Sequence, residues 1–213
     1  MMQVYNYFMA MWRGLMFWRR QKSIETLPAL ATFCATRAAF IGQSSLYNYL
    51  RARAGLQHFN LFNDAAFLAM LRPARTRLVL VCLADLSIFA SSLVANSANK
   101  SKSTLAGILF QQAATQIDTS DITDKEMRQA LDDFEAQLAN FDWAAPATSA
   151  FTRSPQALID LAPVVDVLKE LDDEIVQNSM RFKWREIRTE LAACLNRKSV
   201  LAELARYVAQ KSN

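Results

Sequence analysis

His58 is the chain's only histidine. With a serine and a carboxylate it would supply the base of an acyl-transfer site. Ser44 or Ser45 offers the hydroxyl, and Asp64 or Asp85 the carboxylate that would orient the imidazole. The local pattern argues against this use. Gly42-Gln43-Ser44-Ser45-Leu46 lacks the G-x-S-x-G elbow and falls inside a helical stretch instead of a strand-to-helix turn. His58 is therefore expected to cap a helix or line a loop. One histidine cannot build a multi-histidine zinc site, and Cys34, Cys82 and Cys194 lie too far apart in sequence to add ligand spacing. Each cysteine reads as a small buried side chain in a reducing compartment. Four glycines are too few for a phosphate or dinucleotide loop. Asp132-Asp133 and Asp172-Asp173-Glu174 are neighbours on helices, where adjacent carboxylates do not converge on one metal. No cofactor is expected, and the reading leans away from an enzyme.

Two isolated charges stand out instead. Arg37 sits in one strongly apolar segment and Asp85 in another, and a buried charge needs a partner. Their pairing is the simplest expectation, with an anion or ligand pocket as the functional alternative. A further candidate binding stretch is Asn178-Ser-Met-Arg181-Phe-Lys-Trp184-Arg185-Glu-Ile-Arg188. There Glu174, Asn178, Arg181, Arg185 and Arg188 share one polar stripe, and Met180, Trp184, Ile187, Leu191 and Leu195 an apolar one. Basic residues interleaved with aromatics can also stack on nucleic acid.

The elements that must position these residues are helices. Hydrophobic residues make up 52% of the 213, enough for a sizeable core, and Gly and Pro are too scarce for the turns of a many-stranded sheet. The expected fold is an all-α, irregular bundle of about seven helices with a long C-terminal helix, in one domain over 23–213. Thr26 with Pro28 should start one helix and Gly55 end it. Asn60 or Asn63 should cap the next, and Pro73 break or kink it. Asn96 through Ser103 is a polar linker, and Thr123-Asp-Lys-Glu126 a capping box. Ser154-Pro155 begins the longest helical pattern, bent or restarted at Pro163, and Ser199 caps a short last helix. In the helix from Pro28, Ala31, Ala35, Ala39 and Gly42 make a small-residue face for close packing. The apolar run Leu78–Ala95 approaches membrane-spanning length, but Asp85 would cost about 2.5–3.5 kcal/mol at a bilayer centre. A buried helix with Asp85, Ser92 and Asn96 on one polar edge fits better.

Charge is unevenly distributed. Residues 1–80 hold ten Lys/Arg against Glu25 and Asp64, whereas the remainder holds 14 basic and 18 acidic residues. The first third should meet something anionic: lipid, nucleic acid, or the acidic remainder of the chain. Residues 1–22 form a candidate interfacial helix in which Trp12, Phe17, Trp18, Arg19 and Arg20 would contact anionic lipid. They lack the charged start and A-x-A site of a signal peptide, so a cytoplasmic, membrane-associated location is expected.

Two blocks carry a resemblance. They are Glu25-Thr-Leu-Pro-Ala-Leu-Ala-Thr-Phe-Cys-Ala-Thr-Arg37, continuing into Leu46-Tyr-Asn-Tyr-Leu-Arg-Ala-Arg-Ala-Gly55, and Glu174-Ile-Val-Gln-Asn178-Ser-Met-Arg181-Phe-Lys-Trp184-Arg. With the loop from Asp142-Trp143 to Ser154-Pro155, they resemble an uncharacterised family of small helical bacterial proteins, some of whose relatives carry an esterase label. The resemblance implies no catalytic residue here, and it directs attention to Arg37, Asn178, Arg181 and Trp184. The reading reached is a helical interaction or scaffold protein, peripheral at a membrane surface, with a protein partner, anionic lipid or a second copy of itself as company. A small esterase using Ser44 or Ser45 with His58 is the alternative, and a nucleic-acid-binding protein the second alternative.

The aromatic and basic character of residues 1–22 makes lipid contact measurable. Deleting them should lower co-sedimentation with anionic liposomes. Equal binding by the shortened and complete proteins would refute the assignment.

Overall fold

Thr26 begins the first long helix as its chemistry requires. Its Oγ1 accepts a hydrogen bond from the Ala29 amide at 3.3 Å, Pro28 occupies the first turn, and Gly55, at φ 52°, takes the left-handed conformation that stops α1 (Leu27–Ala54). The computed structural model describes residues 23–95 and 99–211, and the proposed lipid-contacting residues of segment 1–22 lie outside them. A short 3-10 turn and the single-turn α2 (His58–Leu61) lead to α3 (Ala65–Val94). Asp64 caps α3 by accepting from the Phe67 amide at 2.6 Å. The expected Asn63 does not cap, because its side-chain amide donates back to the Phe59 carbonyl. Pro73 neither ends nor splits α3. The carbonyl that it deprives of a partner belongs to Ala69, an exposed residue open to water.

Then follow α4 (Asn99–Ala114), α5 (Asp124–Ala139), the one-turn α6 (Pro146–Ser149), α7 (Arg153–Leu161), α8 (Asp166–Cys194) and α9 (Arg197–Lys211). The fold is an all-α bundle, with no strand among the described residues. The Thr123 capping box is complete: Glu126 N–H donates to Thr123 Oγ1, and Thr123 N–H to Glu126 Oε2. The pattern expected to run on from Ser154 divides instead. Ala162 turns to an extended backbone, and α8 starts three residues after Pro163. The last helix is capped by Asn196, whose Oδ1 accepts from the Ser199 amide, and not by Ser199 itself. Part of the polar stretch after Asn96 is helical, since α4 already begins at Asn99.

α3 is the centre of the bundle, in contact with α1, α4, α5, α7 and α9. Burial on nearly every side over residues 78–91 explains why that stretch is apolar almost throughout. By length and composition Ala65–Val94 is the one helix among the described residues that could cross a membrane, and 78% of its most apolar window is buried in the protein. Around it Phe110 of α4 stacks on Phe134 of α5 at 4.2 Å. A parallel bridge closes the ends of the described chain. Ile24 N–H donates to the Cys194 carbonyl at 2.8 Å, and Asn196 N–H to the Ile24 carbonyl at 2.9 Å.

The small-residue face of α1 works as expected. A Cβ at Gly42 would lie 3.1 Å from Val79 Cγ2 and 3.3 Å from the Val79 backbone. Gly42→Ala should therefore destabilise the fold by about 1–3 kcal/mol through overpacking. Denaturant unfolding measures this. Val79→Ala should recover part of the loss, since only part of the clash involves the Val79 side chain, and a stabilising Gly42→Ala would show the two helices free to separate.

Candidate functional site

The sequence-derived candidates gather along α8, but not as one pocket. Trp184, expected among the binding residues, is 1% exposed. It projects inward in a row with Val176, Met180, Ile187 and Leu191, all buried. Its indole Nε1–H donates to Ser154 Oγ at 2.9 Å, a bond that makes this large ring tolerable in the core. Phe151 packs on it at 4.4 Å and on Phe89 at 5.1 Å. Phe151 holds φ at 65°, strained for a side chain of this size, and its buried ring compensates as the chain turns into α7.

That turn brings Ser154 to Asp85. The Ser154 amide donates to Asp85 Oδ2 at 2.9 Å and Gln137 Nε2 donates to Oδ1 at 2.7 Å. The carboxylate is fully buried. Burial raises its pKa above the ordinary carboxylate value, against the lowering effect of the bonds from Ser154 and Gln137 and of the charge on Arg153. The expected Arg37–Asp85 pair does not form. Arg37 Nη2 bonds instead to Glu190 Oε1, and the guanidinium lies 5.5 Å from the centre of the Phe33 ring. Asp85 needs no cation, because amide and hydroxyl donors of α5 and α7 satisfy it.

The Arg37–Glu190 pair is one rung of a polar seam between the antiparallel helices α1 and α8. In the next rung, Lys183 Nζ donates to Ser44 Oγ at 3.2 Å and to Ser45 Oγ at 3.1 Å. Burial lowers the Lys183 pKa. In the third, Arg53 makes a two-pronged bond to the Asp172 carboxylate, which also accepts from Tyr49 Oη at 3.0 Å. The Arg53 bond is the main cause of the lowered Asp172 pKa. Burial, then Asp172, pushes the Tyr49 phenol up to about 12. Chemically, the seam is a set of paired donors and acceptors, apart from the buried Arg37 Nε, which has no hydrogen-bond partner.

Ser44 and Ser45 thus have a lysine beside them and not His58. The imidazole Nδ1 sits 2.7 Å from the Gly55 carbonyl, with the ring tilted against Phe59 at 4.0 Å beyond the end of α1. Ten helical residues, about 15 Å of axis, separate Ser44 from that end. Asp64 is occupied as a cap and Asp85 is enclosed in its own network, so the triad is not assembled.

The outward side of α8 carries what the sequence reading missed. Asn178, Arg181 and Arg185 are exposed there as expected, with Arg181 donating to Asn178 Oδ1 and Gln177 Oε1, and Arg185 4.7 Å from the Phe182 ring centre. Between and beside them lie Val167, Leu171, Ile175 and Phe182, each 54–73% exposed. The signal was present. α8 has a second apolar row at helical spacing, beyond the one that faces the core. Compared with known proteins, the chain matches no family model, no curated protein and no solved structure.

Asp85 makes the stability of the fold depend on pH. Its folded pKa is raised, so the folded state holds the proton more tightly. Its stabilising contribution is complete below the unfolded value, about 4, and falls as pH rises from there through the folded pKa. Plotted against pH, the stability difference between the native protein and Asp85→Asn should decline over that window and be flat outside it. A difference that grows with pH would contradict the assignment. Asp85→Ala, which leaves buried donors unpaired, should cost about 2–4 kcal/mol.

Proposed function

We propose that this protein is a helical interaction module that presents the outward face of α8 to a protein partner. The supporting observation is the row Val167, Leu171, Ile175 and Phe182, exposed on a helix whose opposite side is fully used in the core. Leaving such side chains in water forgoes about 1.5–3 kcal/mol each compared with burial. Large apolar rows rimmed by charge, here Glu170, Glu174, Arg181 and Arg185, are characteristic of docking surfaces. The seam to α1 adds rigidity, which lowers the entropic cost of binding. Anionic lipid contact by residues 1–22 is compatible with this role and would place the α8 face at a membrane surface. The esterase reading draws on Ser44 and Ser45, which lack a nearby imidazole.

Footprinting by a photoactivated carbene tests the proposal. Leu171, Ile175 and Phe182 should label heavily in dilute purified protein and be protected in intact cells. A variant with all three replaced by Gln should keep its unfolding free energy within about 0.5 kcal/mol, as surface changes do. Equal labelling in cells and in dilute solution would refute a covered face.

A further inference from the structure

We infer that the occupant of this face is a second copy of the chain, with the two α8 helices packed antiparallel about a two-fold axis midway between Ile175 and Asn178. The inference rests on the docking role proposed for α8, and it adds the partner and the orientation.

The first argument is spacing. Leu171, Ile175, Asn178, Phe182 and Arg185 follow one another at steps of four, three, four and three, and Thr189 and Ala192 continue the alternation. All seven are exposed. That mean step of 3.5 residues keeps a seam facing one partner helix along its length, whereas a globular docking site needs no such repeat. From Leu171 to Ala192 the seam runs for about 32 Å. Between the apolar positions Leu171, Ile175 and Phe182, the polar Asn178 is a known means of fixing register.

The second argument is charge. The first half of α8 is acidic, with Asp166, Glu170 and Glu174 exposed. The second half is net basic, with Arg181 and Arg185 exposed and Arg188 half-buried against one exposed acid, Glu186. Parallel pairing would set acid against acid and base against base. Antiparallel pairing sets each half against its complement, and the two-fold axis repeats every contact. With the axis midway between Ile175 and Asn178, Leu171 of one copy lies opposite Phe182 of the other, Ile175 lies opposite Asn178, and Glu174 flanks the seam within reach of Arg181. The side chains that hold α8 on the bundle, Asp172, Lys183 and Glu190, belong to the inward seam and are not required by the pairing.

Sedimentation equilibrium of the full chain at low salt tests this. The native protein should dimerise. Glu174→Arg alone and Arg181→Glu alone should each weaken dimerisation tenfold or more, and the double exchange Glu174→Arg/Arg181→Glu should restore it. In a parallel pair the same exchange would leave like charges facing each other and rescue nothing. Orientation has its own readout: on oxidation, Asn178→Cys should give a covalent dimer and Leu171→Cys should not. A chain that stays monomeric at every concentration overturns the inference, as does a dimer indifferent to these substitutions. If the monomer's α8 face is protected in cells, the docking role stands and another protein is the partner. If deletion of residues 1–22 is what exposes the face in a monomer, that segment is the occupant and self-pairing is excluded.

Discussion

The arrangement of the bundle turns on one buried carboxylate. Asp85 lies in the C-terminal half of α3, the helix that packs against most of the others, and an ionised group there would be intolerable without donors. Its donors come from Gln137 on α5 and Ser154 at the start of α7, and Ser154 in turn accepts from Trp184 on α8. Four helices are thus located by a chain of directional bonds where apolar packing alone would permit several registers. Buried polar networks confer such uniqueness only when every member is satisfied. The strained Phe151 belongs to the same arrangement, since its position between Phe89 and Trp184 is fixed by the turn that delivers Ser154.

α8 is held from two sides with different chemistry. Inward, Met180, Trp184, Ile187 and Leu191 fill the core. Laterally, Arg37, the Ser44–Ser45 pair, Tyr49 and Arg53 hold it against α1 through Glu190, Lys183 and Asp172. Buried and half-buried polar contacts of this kind contribute little net stability, because desolvation offsets much of their attraction. What they supply is a fixed rotation of the helix about its axis. That rotation decides which residues point outward, and it leaves Leu171, Ile175 and Phe182 in solvent together.

Much of this was legible in the sequence where a single residue type dictates a local outcome. Thr26 with Pro28, Gly55 as a stop, the Thr123–Glu126 box and the close approach at Gly42 all followed from rules that operate within a few residues. The pairings did not. Arg37 and Asp85 both read as charges requiring partners, yet sequence cannot say that a mostly buried Glu190 lies nearer to Arg37, or that neutral donors suffice for Asp85. Trp184 had the composition of a binding residue and proved to be core. The outer row of α8 is interrupted by charge; its spacing puts those apolar residues on one side, and the rotation of the helix shows that this side faces outward.

The bridge between Ile24 and the Cys194–Asn196 segment has a companion: the Leu27 amide, at the open start of α1, donates to Glu203 of α9 at 2.7 Å. The start of α1 therefore obtains a hydrogen bond from α9, a helix that leaves the ribosome long after it. Until α9 has been synthesised, the start of α1 lacks this carboxylate and α3, the most apolar segment, lacks part of its cover. Vectorial synthesis thus runs against the closure of this fold, and the nascent chain must carry its greasiest helix incompletely sheltered until α9 emerges.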